Sequence, residues 1–341
     1  MATQLPLRAS ILAVPDTMAS PLIGIYDVLN SIAGLRAFDD AIPAESPYRA
    51  EIVAERKGPM NTASNIPIQM HRSISEIEQT DLVFIPSIMI GGNYWESGRF
   101  PAIVEWLDAM HRRGATICTA CSGVFLLAET GLLDGREATL HWTHAREFQT
   151  AFPNVKLSLE KILTTAGSRG EFVMSGAATS WHDLLLYIVT RQLGAPVAHA
   201  MAKFHALQAH ADGQAPFIVF MPVTDHGDAM VANTQEWARK NYSAANPVEE
   251  MVRISGVPER SFKRRFTKAT GLTPIAYIQH LRVDQAKRRL ERTGTPVDEI
   301  GWQIGYENPA FFRRLFKRTT GLSPGTYRRQ FRLPAVAAGG E

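Results

Sequence analysis

The last hundred residues of this 341-residue chain repeat one pattern at a spacing of about 50 positions. Val248-Glu249-Glu250-Met251 returns as Val297-Asp298-Glu299-Ile300. Ser255-Gly256-Val257 answers Ile304-Gly305-Tyr306, and each glycine suits a tight turn between two helices. Phe262, Arg264, Phe266, Thr270-Gly271-Leu272, Pro274 and Tyr277 then reappear as Phe312, Arg314, Phe316, Thr320-Gly321-Leu322, Pro324 and Tyr327. The second copy holds one extra residue between its turn glycine and its closing glycine. Two helix-turn-helix units are expected, with a connecting helix over Pro274–Arg292.

Within each unit, phenylalanines four residues apart (Phe262/Phe266 and Phe312/Phe316) mark the face of the second helix that packs on the first. The opposite face carries Arg260, Lys263 and Arg264 in one unit, and Asn308, Arg313 and Lys317 in the other. Long basic and amide side chains on such a face reach base edges and phosphates in a major groove. Two recognition helices on a rigid connector would enter successive grooves about 34 Å apart. Charge agrees with this reading. Of the chain's 36 Lys/Arg and 33 Asp/Glu, the part from Thr234 onward holds 20 and 10, leaving 16 and 23 before it. A basic segment fused to an acidic one suits a polyanion-binding module attached to something else.

That other part has a different rhythm. Apolar β-rich runs are expected as strands over Ser10–Val14, Arg49–Ala54, Leu82–Pro86, Thr116–Thr119, Val155–Leu159 and Phe172–Ser175. Helix-period stretches lie between them, over Pro21–Ile32, Pro101–Arg113, Gly123–Thr130 and Ala178–Leu193. Strand and helix in alternation predict a mostly parallel sheet covered on both faces. Near Phe217–Asn233 the rhythm stops, and Pro216, Pro222 and Gly227 read as a linker. No apolar run reaches the length of a membrane span. Cys118 and Cys121, the only cysteines, cannot build a disulfide framework and point to a reducing cytoplasm.

The most chemical stretch is Ile117-Cys118-Thr119-Ala120-Cys121-Ser122-Gly123-Val124. A strand ending in small residues, followed at once by a helix, has the layout of a nucleophile elbow with Cys121 at its apex. A helix N-terminus there is expected to favour the thiolate. C-x-x-C redox chemistry is a weaker reading, because Cys118 falls on the strand, and zinc lacks a second ligand pair. Gly91-Gly92-Asn93 offers backbone N–H groups to a ligand, or is a plain turn. His199, His205 and His210 are placed on one helix at a spacing that implies no shared metal face, and Trp95, Trp106 and Trp142 are expected to pack.

Residues 234–332 resemble the AraC/XylS-type DNA-binding domain. The match runs through Ile300-Gly301, Gly305-Tyr306, Phe311-Phe312-Arg313-Arg314-Leu315-Phe316-Lys317, Gly321-Leu322-Ser323-Pro324 and Tyr327-Arg328. By position the resemblance assigns Arg260, Lys263 and Arg264 to base reading in the first recognition helix, and Pro309, Ala310 and Arg314 in the second. Pro309 and Ala310 read bases poorly, so the second helix is expected to hold the backbone through Asn308, Arg313 and Arg314.

Leu126 to Trp142, with Ser175-Gly176-Ala177-Ala178 and Asp183-Leu184, resembles the DJ-1/PfpI branch of the class I glutamine amidotransferase-like fold. The two resemblances together are those of GlxA-like regulators. They imply a flavodoxin-like parallel-sheet sandwich over residues 8–215, a linker over 216–233, an all-α domain with two helix-turn-helix motifs over 234–332, and a flexible tail over 333–341. The family's cysteine corresponds to Cys121 and its later histidine to His141. Where many members place histidine after the cysteine, Ser122 stands here. The usual carboxylate position falls on Pro21, with Asp16 and Asp27 only nearby.

A binding pocket that has lost its reaction is therefore expected, formed by Cys121, Ser122, His141, Gly91, Gly92 and Asn93, with no cofactor and no metal. The alternative is a cysteine-dependent amidase or hydratase using Cys121 and His141. The expected partners of the regulator are double-stranded DNA, a small nitrogen-containing effector, a second copy of the chain and RNA polymerase. It would act as an activator, with no membrane association.

Overall fold

Strands buried on both faces read as continuous apolar runs, and Leu82-Val83-Phe84-Ile85 is one of them, wholly buried. The computed structural model describes residues 6–91 and 94–332, in two units divided between Gln214 and Ala215. The first opens with β1 (Leu7–Leu12), α1 (Ala19–Ser31), β2 (Tyr48–Ala54), the hairpin β3 (Gly58–Asn61) and β4 (Pro67–Met70), and β5 (Arg72–Ser73). Next come β6 (Leu82–Ile85), α2 (Pro101–Arg112), β7 (Thr116–Ala120), α3 (Val124–Glu129), β8 (Glu137–Ala138), α4 (Ala145–Ala151) and β9 (Lys156–Leu157). The unit closes with β10 (Leu163–Ala166), β11 (Phe172–Ser175), α5 (Trp181–Leu193) and α6 (Ala195–Phe204).

Seven strands form one sheet in the order β10-β11-β7-β6-β1-β2-β5, parallel except for β10 at the edge. Alternation along β1 builds two cores. Ala9 and Ile11 pack with α1, α5 and α6 on one face, and Leu12 packs with α2, α3 and α4 on the other. Between β1 and β6 the chain reverses its direction of travel across the sheet, and crevices at such switch points lie at the carboxyl ends of the strands. The loops after β1, β6 and β7 meet there, with Thr17 bridged to Ile88. The sequence reading was wrong at the edge. Val155–Leu159 supplies only β9, which pairs with β8 outside the main sheet, while the edge strand is Leu163–Ala166.

The second unit contains α7 (Ala229–Asn241), α8 (Pro247–Ser255), α9 (Glu259–Thr270), α10 (Pro274–Arg292), α11 (Val297–Gln303), α12 (Pro309–Thr320) and α13 (Pro324–Phe331). The repeated Thr-Gly-Leu-(Thr/Ser)-Pro is a helix stop and start in one. Gly271 and Gly321 end α9 and α12 in the left-handed conformation, φ 75° and 78°. Thr273 and Ser323 then accept the N–H groups of Ala276 and Thr326, capping α10 and α13, with proline next. Helix α10 serves both halves. Tyr277 and Ile278 join the core with Phe262 and Phe266, while Val283, Ala286 and Leu290 join that with Phe312 and Phe316.

Residues 216–233, expected as a linker, are built into this unit. Phe217 packs on Phe331 and Phe220 on Tyr277 and His280. Buried Lys287 donates to the Ile218 carbonyl at 2.6 Å, and Gln235 donates to that of Val223 at 2.9 Å. Helix α7 begins inside the expected linker. Residues 333–341, expected as a tail, lie outside the described residues.

Candidate functional site

Strand β7 delivers the chain into a turn at Cys121, whose φ of +55° is a conformation that costs a non-glycine residue free energy. The turn is locked from beneath. Ser122 Oγ donates to the Ile88 carbonyl at 2.6 Å and accepts from the Ile88 N–H at 2.9 Å. Gly123 is required because a Cβ there would sit 2.3 Å from the Ile85 carbonyl oxygen. Ser122 therefore fastens the elbow to the loop after β6. Its buried hydroxyl is committed to Ile88 and the neighbouring thiol rather than offered to a ligand.

Cys121 is buried, with 6% of its surface exposed. The hydroxyls of Ser87 and Ser122 and the backbone N–H groups of Ser122 and His141 face its thiol. These favour the thiolate, yet burial outweighs them and pushes the thiol above its ordinary range. The thiolate expected from a helix N-terminus is thus not what this site stabilises. α3 is only six residues long, and the thiol is almost wholly buried. We expect iodoacetamide to alkylate Cys121 more slowly than free cysteine at pH 7, with the rate climbing as pH passes above 9. A rate above that of free cysteine at pH 7 would contradict this electrostatic picture.

His141 caps the short 3-10 turn Trp142–His144. Its Nδ1 meets the Thr143 hydroxyl at 2.6 Å and accepts the Thr143 N–H at 3.4 Å, and Trp142 stacks on its ring. Burial and neighbouring His144 hold the imidazole below its usual pKa. The half-buried ring is thus neutral at pH 7, and only its backbone N–H is placed against the thiol. Of the other predicted pocket residues, Gly91 is exposed with open space about it, and Gly92 and Asn93 lie outside the described residues. Pro21 sits in the first turn of α1, Asp27 is exposed, and Asp16 is paired with Arg99 at 2.5 Å. No carboxylate joins the partners of the thiol among the described residues.

Cys118 is wholly buried in β7, and both cysteines are free. His199 lies on α6, but His205 ends that helix and His210 lies beyond it, bonded to buried Asp183 at 2.7 Å. Trp95 and Trp106 are buried. Among the described residues no cluster suits a metal ion, and no helix is long and apolar enough to cross a membrane.

In the second unit the recognition helices are α9 and α12. Arg260 and Arg264 are exposed on α9 and carry no ion pair among the described residues, whereas Lys263 is paired with Glu259. Arg265, beside them, is held by Asp228 at 2.9 Å. On α12, Arg313 is held by Asp298 at 2.6 Å, and Asn308 caps the helix by accepting the Phe311 N–H. Arg314 and Lys317 are exposed and carry no ion pair among the described residues, as is true of Arg318, which the sequence does not single out. Its place one turn beyond Arg314 was the available signal. Arg282, almost wholly buried on α10, ties the two halves together. It donates to the carbonyls of Tyr242 and Ala244 at 2.7 Å and of Gly305 at 2.9 Å, and lies over the Tyr306 ring.

A three-layer α/β unit with a strained cysteine elbow, followed by two coupled helix-turn-helix units, defines a class of DNA-binding regulator. Residues 22–177 match the DJ-1/PfpI family, and residues 251–330 match a helix-turn-helix domain. The chain is a two-domain regulator of this class, a DJ-1/PfpI domain joined to an AraC-type helix-turn-helix domain. It is 26% identical over 304 residues to the HTH-type transcriptional regulator CdhR of Pseudomonas aeruginosa, covering 85% of this chain and 84% of that protein. It is also 26% identical over 288 residues to the HTH-type transcriptional regulator GlxA of Rhizobium meliloti, covering 83% and 86%. A crystal structure from Vibrio parahaemolyticus shares the fold over 59% of this chain and 99% of its own, with a TM-score of 0.50 and 23% identity.

Proposed function

We propose that this regulator is a ligand-responsive activator, whose first domain binds a small, nitrogen-containing metabolite at the Cys121–His141 site. The domain does not turn the metabolite over. The observation that carries the reading is the thiol itself, strained at the apex of the elbow yet buried, neutral and without a carboxylate partner. A nucleophile needs a base to regenerate it, whereas a neutral thiol beside the His141 N–H can only help to recognise a polar group. Activation would occur in the cytoplasm, on double-stranded DNA, with two copies of the chain and a contact to RNA polymerase.

The test is a thermal-shift screen of amino acids, amines and betaines against the full chain and against Cys121→Ala. A true effector at 100 times its Kd stabilises the domain it binds by about 2.7 kcal/mol. The reading expects at least one compound to raise the melting midpoint of the parent, with the shift weakened in Cys121→Ala. A compound consumed by the parent but not by Cys121→Ala would replace this reading with the cysteine-dependent enzyme.

A further inference from the structure

The last side chain of the first unit, Gln214, is wholly buried. Its Nε2 donates to Thr139 Oγ1 and the Leu140 carbonyl at 3.0 Å and to the Lys161 carbonyl at 3.2 Å. Its backbone N–H donates to the Glu160 carbonyl at 2.9 Å. Space for the amide exists because residue 176 is glycine, where a Cβ would lie 2.3 Å from Nε2. The Leu140 carbonyl and the His141 N–H belong to one peptide group. In a trans peptide these two point in opposite directions. The N–H faces the Cys121 thiol, and the C=O accepts from Gln214. One rigid plane thus stands between the elbow and the final residue of the α/β unit.

On the other side of Gln214 the sequence reaches the DNA-binding unit almost at once. Phe217 is packed on Phe331, and Ile218 is held by Lys287. Only Ala215 and Pro216 separate the anchored Gln214 from the anchored Phe217, and they belong to one 3-10 turn, Ala215–Phe217.

We infer that Gln214 is the positioning residue that carries ligand occupancy at Cys121 to the DNA-binding unit, through the Leu140–His141 peptide and the short Ala215–Pro216 junction. The inference rests on the proposed sensing role of the Cys121 site and adds the route by which that site acts. A group that competes for the His141 N–H tilts the peptide, shifts its carbonyl, and moves the Gln214 amide with it. The displacement passes into the backbone at Ala215. Gln214 touches neither ligand nor DNA in this account.

The test uses the full chain carrying Cys118→Ala, so that only Cys121 can react. Methyl methanethiosulfonate adds a methylthio group to Cys121, with methanesulfinate leaving, and dithiothreitol reverses it. Affinity for a DNA fragment selected by the protein is measured before and after modification, with Gln214 intact and with Gln214→Leu. The expected result is a change of fivefold or more, reversed by dithiothreitol, with Gln214 intact, and less than twofold with Gln214→Leu. An equal change in both would overturn the inference while leaving the sensing role standing. No change in either, once the mass of the protein shows Cys121 fully methylthiolated, would overturn both. Should Gln214→Leu fail to fold, hydrogen exchange on the chain with Gln214 intact decides instead. Modification is then expected to alter exchange in peptides covering 139–141 and 214–220 together, and a change confined to the first overturns the inference.

Discussion

Replacing Arg264 by alanine is expected to weaken binding to a selected DNA site by roughly 10- to 100-fold, the equivalent of about 1–3 kcal/mol for a bidentate guanine contact. The loss should be confined to the preferred base at one position, so that the variant binds sequences altered there as the parent does. Arg314→Ala, the matching change on α12, is expected to weaken all sequences alike and to make the salt dependence shallower, as loss of a phosphate contact does. The asymmetry follows from what stands beside each arginine. Arg264 has exposed Arg260 one turn before it, whereas Arg314 has Ala310, with Pro309 opening the helix. Arg313, which the sequence offers as a contact, is held by Asp298 and must break that pair to reach DNA. Competition binding over single-base variants, at two salt concentrations, separates the two behaviours. Equal base selectivity lost at both positions would refute the division of labour.

The larger effect on stability is expected at Arg282. Replacement by methionine keeps much of the apolar stem but strands the carbonyls of Tyr242, Ala244 and Gly305. Each hydrogen bond to a charged donor contributes about 1.5–3 kcal/mol, so a loss of about 3 kcal/mol or more is expected. That corresponds to a fall of roughly 10 °C or more in the midpoint of the DNA-binding unit. DNA affinity should drop even well below that midpoint, because the same side chain joins the α7–α8 connection to the turn of the second helix-turn-helix. Arg282→Lys cannot reproduce the three-way fork and should recover only part of the loss. Calorimetry on the full chain, with DNA binding measured at 15 °C, checks both. A midpoint within about 2 °C of the parent would show that the fork contributes little.

The sequence was most informative where one local chemistry occurs twice. Gly271 and Gly321, the following Thr273 and Ser323, and the prolines after them fix helix ends through short-range contacts, and the connecting helix spans Pro274–Arg292 as expected. The continuous apolar runs of β6, β7 and β11 were legible for a similar reason, since a strand buried on both faces has no polar alternation to disguise it. Long-range pairing was not legible. Nothing in Leu163-Thr164-Thr165-Ala166 distinguishes it as an edge strand until β11 is present to pair with it.

The stretch 216–233 misled because its prolines and glycine are those of a linker, while Phe217 and Phe220 dock without any helix or strand period. At the candidate site the elbow was legible from Cys121 and Gly123. The state of its thiol was not, because burial is set by the whole domain and outweighs the local helix terminus. Gln214 carried no local signal at all; its importance comes from Gly176 and Leu140, both far from it in sequence.

The central claim, that this chain reads DNA through two unequal and rigidly joined recognition helices, is tested most directly by selecting binding sites from a random duplex pool with the full-length protein at about 150 mM salt. The account predicts one enriched site with two conserved segments, their centres about 10 base pairs apart. It further predicts that one segment is strongly constrained and the other loosely so, with the strong one losing its preference in Arg264→Ala. Failure to enrich any sequence, or two segments equally constrained and both unaffected by Arg264→Ala, would contradict it.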